Sequence, residues 1–196
     1  MAPGLMRVAG YNEVRIDPAT GEILVRGINV FMGYLNLPEK TAETIGTVGE
    51  ARKTGFNPTF LGSSAAYTDL IHKLGGKPMD GIYATMTVQN PYTDEQSQPL
   101  RFWANKYKTK FNEDPTVFSV YGYMIVQSFI QAANKAGPNL TTDSFIKAMD
   151  SSTFEPDMFG APKMTFTGTK RLGNEQSRLS QIVDGKWKVV SDYVAP

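Results

Sequence analysis

The sequence predicts an α/β fold in which a small β-rich segment precedes a longer run of alternating strands and helices. Two observations carry this prediction. Near the start, Val14 and Ile16 alternate with Arg15, and an apolar run follows at residues 23–25, a pattern that is typical of paired strands. From residue 56 onward, short apolar runs alternate with segments whose apolar residues recur every three or four positions, as in amphipathic helices.

Length and composition exclude several classes of protein. A chain of 196 residues suffices for one domain with a small appendage. Twenty basic and nineteen acidic residues are interleaved, so no charged surface favours nucleic acid, and no apolar run is long enough to span a bilayer. The absence of cysteine removes disulfides, thiolate nucleophiles and zinc–thiolate sites. We therefore expect no metal and no cofactor.

The elements of the first segment can be placed from turn and helix signals. Residues 17–21 supply turn chemistry between two strands, and Pro38 suits the first turn of a helix that runs toward Lys53. Gly46 and Gly49 interrupt this helix, and each costs roughly 1 kcal/mol relative to alanine in a helix interior. The sequence predicts a break or kink there.

The later elements are marked by periodicity. A helix beginning near Asp69 carries His72, the only histidine, which we expect to be exposed. Two longer helices, a shorter one capped by Thr142 and a strand-like tail follow. Asp184-Gly185 is a strong hairpin signal, and we expect Trp187 beyond it to pack against the body of the protein. The apolar stripes of the two longer helices are Leu100, Trp103, Tyr107 and Phe111, then Val117, Tyr121, Met124, Ile125, Ser128, Phe129 and Ala132.

Residues 13–45 resemble a fragment of the adenylate-forming acyl-CoA synthetases. The motifs that carry this resemblance are Glu22-Ile-Leu-Val-Arg-Gly27, Val30-Phe-Met-Gly-Tyr-Leu35 and Pro38-Glu-Lys-Thr-Ala-Glu43. The family's phosphate-gripping loop, its adenylate motif and its catalytic lysine have no counterpart in this chain. Adenylation needs a phosphate cradle and a positioned carboxylate in one cleft, so we expect no such activity. No catalytic pair of carboxylates is evident, and the chain is predicted not to be an enzyme.

Residues 50–190 resemble the carboxy-terminal part of periplasmic solute-binding proteins of the branched-chain amino acid transport type. The matching segments fall in family order at residues 55–62, 81–85, 102–115 and 122–126. The resemblance implies a partial type I lobe, with a mostly parallel sheet and flanking helices. It divides the chain into a synthetase-like fragment at 1–45 and an incomplete solute-binding segment at 46–196.

The resemblance also implies where a ligand would bind. In amino-acid-binding relatives, the loop that begins at Gly62 carries a glutamate for the ligand's ammonium group, and Ser64 occupies that place here. Ser63, Ser64 and the nearby Tyr67 are therefore candidate ligand-binding residues, together with Phe118 at the position of a cleft aromatic. Two simpler interpretations stay open, because the serines are also suited to cap a helix and Phe118 to pack in the core.

The resemblance implies a small-molecule-binding component of an ABC-type uptake system that partners a membrane permease. A buried ammonium without a counter-charge is strongly disfavoured, so a small carboxylate, amide or aromatic acid fits better than a free amino acid. Self-association is expected, because a partial lobe exposes strand edges and apolar faces. The alternatives are an inactive remnant of an AMP-forming acyl-CoA synthetase or a fusion product with no evolved function.

The two resemblances imply different cellular locations for the protein. A solute-binding protein of this type is periplasmic, but residues 1–8 lack the basic stretch and apolar core of a signal peptide. If the synthetase-like start is the true beginning, the cytoplasm is the expected location.

Overall fold

The computed structural model describes residues 6–8, 12–16, 23–26 and 38–195, with side chains from residue 45 onward. The chain forms two compact units. The first takes the residues up to Thr85 together with Ser180–Lys188, and the second takes Met86–Leu179 together with the residues from Val189 onward. Each unit is described separately below.

The first elements of the chain form a three-stranded antiparallel sheet. Strands β1 (Met6–Val8), β2 (Asn12–Ile16) and β3 (Ile23–Arg26) lie in sequence order, and Val14 pairs with Val25. The strands predicted from alternation at residues 14–16 and 23–25 are confirmed. The predicted turn at 17–21 and the motif at 30–35 lie outside the described residues.

Helix α1 (Pro38–Lys53) is continuous, so the prediction of a break at Gly46 and Gly49 is wrong. Both glycines are helical although each lowers helix propensity by roughly 1 kcal/mol. Ile45 and Val48 lie in the same stretch and are buried, Val48 almost completely. Burial of two such side chains contributes roughly 1.5–3 kcal/mol each, which is enough to offset the glycines.

The remaining elements alternate as the sequence predicts. In order they are β4 (Leu61–Gly62), a 3₁₀ helix (Ser64–Ala66), α2 (Asp69–Gly75), a second 3₁₀ helix (Lys77–Met79), β5 (Tyr83–Met86), α3 (Gln98–Phe111), α4 (Val117–Ala136), α5 (Thr142–Asp150), β6 (Thr153–Phe154), β7 (Met164–Thr165), β8 (Arg178–Val183) and β9 (Lys186–Val189). The described residues thus form a mixed α/β architecture, as the sequence predicts.

A four-stranded sheet in the order β4-β5-β8-β9 forms the centre of the first unit. Strands β4 and β5 are parallel, with Leu61 opposite Tyr83. Helix α2 begins at a Thr68 cap and packs its buried face beside α1. The most deeply buried side chains of this unit are Val48, Tyr67, Ile71, Met79, Ile82, Ala84 and Ile182.

The predicted hairpin between β8 and β9 is confirmed. Asp184 and Gly185 both have positive φ, at 53° and 71°, as a two-residue hairpin turn requires. The Gly185 N–H donates to Asp80 Oδ1 at 3.0 Å. The pKa of the Asp80 carboxyl is lowered below its ordinary value, and the largest cause is the hydrogen bond from Lys77. Burial opposes this shift, whereas the hydrogen bond from the Gly185 N–H lowers the pKa further.

The second unit is mainly helical. The predicted helices are confirmed as α3, α4 and α5, but the predicted apolar stripes are only partly buried, because Phe111, Ile125 and Phe129 are exposed. Helix α4 begins with a capping box formed by Thr116 and Ser119. The cap of α5 is Thr141 rather than the expected Thr142, because the Ser144 N–H donates to Thr141 Oγ1 at 3.2 Å. Trp103, which the sequence places on the apolar stripe of α3, is only half-buried.

Candidate functional site

The candidate loop follows the carboxyl end of strand β4 in the first unit. Gly62 pairs with Ala84 of the parallel strand β5, and the chain then turns into the short 3₁₀ helix at Ser64–Ala66. In open α/β sheets, the residues beyond the carboxyl ends of parallel strands are the usual place for ligands. The loop therefore occupies the position that the sequence predicts for a site.

Ser63 has a structural role in this loop. Its backbone is extended, and its Oγ accepts a hydrogen bond from the Ala65 N–H at 3.3 Å, while its carbonyl accepts from Ala66 at 3.0 Å. These bonds satisfy two donors at the start of the short helix. The capping interpretation of Ser63 is thus observed, and its role in ligand binding stays a prediction.

Ser64 differs from Ser63 although the two residues are adjacent. Its side chain is exposed, and its hydroxyl forms no hydrogen bond to any residue that the structure describes. Its carbonyl accepts from the Tyr67 N–H at 3.2 Å, which fixes the backbone of the turn. The Ser64 hydroxyl is therefore available as a donor or acceptor on an ordered loop.

Tyr67 is held in the core of the first unit. It is 2% exposed, and its ring centroid lies 5.1 Å from that of Trp187 on β9. Trp187 is also buried, and its Nε1–H donates to the Thr68 carbonyl at 2.8 Å. The prediction that Trp187 packs against the body of the protein is confirmed. These contacts anchor the end of the candidate loop.

His72 is buried, so the expectation of an exposed helix histidine is wrong. Burial lowers the pKa of its imidazole from the ordinary value of 6.5, although the nearby Asp69 carboxylate opposes the shift. Asp69 is itself buried and accepts a hydrogen bond from Lys73 Nζ at 2.6 Å. Helical periodicity predicts that His72 lies on α2. It does not predict that His72 is buried, because the residues that cover this face of α2 are distant in sequence.

Phe118 lies on helix α4 of the second unit, whereas the other three candidate residues lie in the first unit. Its side chain is half exposed, which contradicts the core-packing interpretation. Its ring meets that of Tyr121 edge-on, with centroids 6.2 Å apart. Burial raises the pKa of Tyr121 above its ordinary value of 10.0, so this phenol is neutral near pH 7.

The second unit also contains a cavity of about 340 Å³ that the sequence did not reveal. Its volume falls within the range of small-ligand pockets. Three of its polar side chains have partners in the protein: Gln127 Nε2 donates to Tyr123 Oη at 3.1 Å, and Glu155 Oε1 lies 3.2 Å from Lys163 Nζ. The lining residues are Tyr123, Met124, Gln127, Ser128, Gln131, Phe154, Glu155, Asp157, Met158, Ala161, Pro162 and Met164.

In the part of the chain that the structure describes, no three histidine or acidic side chains come together in a way that could hold a metal ion. None of the described helices has both the length and the apolar character needed to cross a bilayer.

The chain belongs to the periplasmic binding protein family. The family model described as "Periplasmic binding protein" matches residues 39–186, which is most of the chain. This match begins inside the segment that resembles the synthetases and continues along α1. None of the curated proteins compared with the chain matches it.

Solved structures show the same fold. A branched-chain amino acid ABC transporter protein from Thermus thermophilus with bound valine has a TM-score of 0.62 at 15% identity, covering 78% of this chain and 43% of its own. A fatty acid ABC transporter substrate-binding protein from Thermomonospora curvata has a TM-score of 0.62 at 21% identity, covering 81% and 41%. A leucine-binding protein from Thermotoga maritima has a TM-score of 0.59 at 15% identity, covering 87% and 45%.

These comparisons define the class of protein. The family and its structural neighbours are substrate-binding proteins rather than enzymes. The chain spans less than half the length of the three structures described above. No comparison shows a relation to acyl-CoA synthetases, so that resemblance of residues 13–45 stays a sequence-based interpretation.

Proposed function

We propose that this chain serves as a solute-binding component of an ABC-type uptake system in the periplasm, with a membrane permease as its partner. The observation that carries the proposal is the family match over residues 39–186, combined with the exposed Ser64 hydroxyl beyond the carboxyl end of β4. An ordered loop with an unused hydroxyl can recognise a polar ligand without a large conformational cost.

The proposed ligand is a small carboxylate, amide or aromatic acid rather than a free amino acid. The loop at residues 62–67 contains no carboxylate, and the next one along the chain, Asp69, is engaged by Lys73. An α-ammonium group buried at this loop would lack the counter-charge that offsets its desolvation. A neutral or anionic polar group needs only hydrogen-bond donors, which serine supplies.

Self-association is part of the same proposal. Each unit exposes large apolar side chains, including Phe56 and Leu74 in the first and Phe102 and Ile125 in the second. Where exposed apolar side chains cluster into a patch, the patch typically marks an interaction site. We expect a defined oligomer, measured by light scattering across a dilution series.

Ligand titration with matched variants tests the assignment. Benzoate, acetamide and leucine are titrated calorimetrically into wild type, Ser64→Glu and the control Thr54→Glu, which adds the same charge at an exposed position of the first unit. We expect benzoate or acetamide to bind wild type more tightly than leucine. Ser64→Glu should weaken benzoate binding by about tenfold or more through like-charge repulsion, while Thr54→Glu leaves it unchanged.

Three other results would each contradict a part of the proposal. Tight binding of leucine by wild type would contradict the argument from the missing carboxylate. Binding that is unaffected by Ser64→Glu would exclude the loop from the site. A thermal shift caused by ATP, without any shift caused by the three solutes, would favour the synthetase remnant instead.

A further inference from the structure

The cavity of about 340 Å³ belongs to the second unit, whereas the candidate loop belongs to the first. One wall of the cavity is helix α4, on which the lining residues Tyr123 and Gln127 lie about one turn apart. The other wall is formed by residues between 154 and 164, and the antiparallel pairing of Phe154 with Met164 holds the two ends of this segment together. Regular secondary structure therefore fixes both walls, as is usual for a preformed ligand site.

The charged side chains that line this cavity have one sign. Glu155 and Asp157 are among the lining residues, whereas none of the described lining residues is a lysine or an arginine. The Glu155 carboxylate pairs with Lys163, but both side chains are more than half exposed and such a pair is weak. Asp157 forms no salt bridge with any described residue. A cavity with this lining attracts cations and disfavours anions.

Asp157 is positioned by its own loop and keeps one oxygen uncommitted. Its Oδ1 accepts hydrogen bonds from the N–H groups of Phe159 at 2.9 Å and Ala161 at 3.4 Å. No described residue donates a hydrogen bond to its Oδ2. On the α4 wall, Gln127 Oε1 and Ser128 Oγ also have no hydrogen-bond partner among the described residues. The lining residues thus include three oxygens that can still accept hydrogen bonds, which suits a ligand with several N–H donors.

The remainder of the lining is mainly apolar and suits the body of a ligand rather than its charge. Aromatic rings attract cations, and thioethers form favourable contacts with aromatic groups. The lining side chains of these two kinds are Tyr123, Met124, Phe154, Met158 and Met164. Small-molecule sites typically combine such an apolar lining with a few polar groups.

We propose that this cavity is a second binding site of the chain, which takes a protonated primary amine with an apolar or aromatic body. The ammonium group donates a hydrogen bond to Asp157, and the body of the amine packs against the methionine side chains. This site goes beyond the function proposed for the Ser64 loop. The loop lacks the carboxylate that a bound ammonium group needs, whereas the cavity has one.

Calorimetric titration of 2-phenylethylamine into the full chain near neutral pH tests this site. The matched probe is 2-phenylethanol, which keeps the aromatic body and replaces the ammonium group with a hydroxyl. We expect wild type to bind the amine about tenfold or more tightly than the alcohol, because a charge-assisted hydrogen bond is stronger than a neutral one. Equal binding of the two probes, or no binding of the amine, would overturn the proposed site.

Asp157→Asn tests the role of the carboxylate. The amide keeps an oxygen for the N–H groups of Phe159 and Ala161, so the loop should stay folded, but it supplies no counter-charge. We expect it to bind the amine about tenfold or more weakly than wild type does. The control Asp143→Asn removes the same charge at an exposed position of α5 in the same unit and should leave the affinity unchanged. Equal effects of the two variants would mean that net charge alone attracts the amine, and would overturn the site.

Ser128→Phe tests the cavity without altering its charge. A phenyl group at this lining position of α4 should fill part of the cavity, so amine binding should be lost while the circular dichroism spectrum stays that of wild type. Amine binding that survives Ser128→Phe would exclude the cavity. Failure of this site is distinguishable from failure of the proposed function, because Ser64→Glu should alter the titration of benzoate and leave that of the amine unchanged.

Discussion

The two tryptophans of the chain lie one in each unit, and their environments differ. Trp187 of the first unit is 4% exposed, contacts the Tyr67 ring and donates a hydrogen bond to the Thr68 carbonyl. Trp103 of the second unit is half-buried among aromatic rings, the nearest being Phe159 with a centroid 4.9 Å away. The first unit thus fixes Trp187 by packing and a hydrogen bond, whereas Trp103 of the second unit packs against aromatic rings and its indole N–H has no hydrogen-bond partner among the described residues.

This difference extends to the surfaces of the units. In the first unit, the candidate loop is anchored at both ends, by the β4–β5 pairing and by Tyr67. In the second unit, α4 has buried residues on one side and exposed apolar side chains, such as Ile125 and Val126, on another. A well-packed first unit suits the positioning of a ligand loop, whereas exposed apolar side chains such as those of α4 favour association with another molecule.

The strongest test of this comparison is truncation of the two tryptophans. Trp187→Ala should lower the free energy of unfolding by about 3–5 kcal/mol, because it removes a buried ring and a hydrogen bond. Trp103→Ala should cost less than Trp187→Ala, because more of the Trp103 surface stays exposed in the folded state. Urea unfolding measures both values, and Lys188→Ala, at an exposed position beside Trp187, serves as the control. Equal losses for the two tryptophans would contradict the comparison.

A second test concerns packing around glycine. An added Cβ at Gly75 would lie 2.3 Å from Met79 Cγ and 2.7 Å from Ile45 Cγ2, so Gly75→Ala should destabilise the protein by about 1–3 kcal/mol. Gly46→Ala on α1 meets no atom within 4 Å and should stabilise the protein by up to about 1 kcal/mol. Thermal unfolding should therefore shift in opposite directions for the two variants. A gain in stability for Gly75→Ala would show that the core of the first unit is loosely packed.

The hairpin turn gives a smaller effect. Gly185 has a φ of 71°, a conformation in which a Cβ costs about 1–2 kcal/mol. Gly185→Ala should lower the free energy of unfolding by about that amount, although the added Cβ meets no atom within 4 Å. Asp184→Gly, which relieves the same conformational strain at a φ of 53°, is the paired variant and should show little loss. Chemical denaturation distinguishes them, and equal losses would exclude backbone conformation as the cause.

The smallest expected effect is a pH dependence that arises from His72. Its pKa is lowered in the folded state by burial, so the unfolded state binds a proton more readily. Stability should therefore be full above the unfolded pKa of about 6.5 and should fall as pH decreases toward the lower folded pKa. The slope for one proton is at most about 1.4 kcal/mol per pH unit.

Urea titrations between about pH 7.5 and about pH 5.5 measure this slope in wild type and in His72→Gln. The variant should lose the part of the slope that His72 contributes, while the part due to other groups remains. An unchanged slope would mean that the imidazole titrates normally and that its burial has no electrostatic consequence.

Several elements of the fold followed directly from local sequence. The stripes of α3 and α4 repeat every three or four residues, and Asp184-Gly185 suits a turn that needs two positive φ angles. The ordered set of motifs from residue 55 onward also pointed to the family that matches residues 39–186. These features can be predicted from the sequence because they depend on residues that are close together in the chain.

Other features depended on contacts between distant residues. The continuity of α1 across Gly46 and Gly49 rests on burial of Ile45 and Val48, which outweighs helix propensity. Likewise, the sequence predicted that His72 lies on α2, but it did not predict that His72 is buried. Sequence periodicity identifies the apolar side of a helix without stating what covers it.

The features of the candidate site also fall into two groups, those that the local sequence predicts and those that depend on contacts in the folded chain. The sequence by itself determined that Trp187 follows a tight hairpin, and its resemblance to the family led us to expect Ser64 at the position of an acidic residue. Only the tertiary structure decided that Ser63 caps the turn while the Ser64 hydroxyl stays exposed, that Tyr67 is held by Trp187, and that Ile125 and Val126 of α4 are exposed. The physical reason is that side-chain chemistry is local, whereas burial and hydrogen-bond partners are set by segments that meet only when the chain folds.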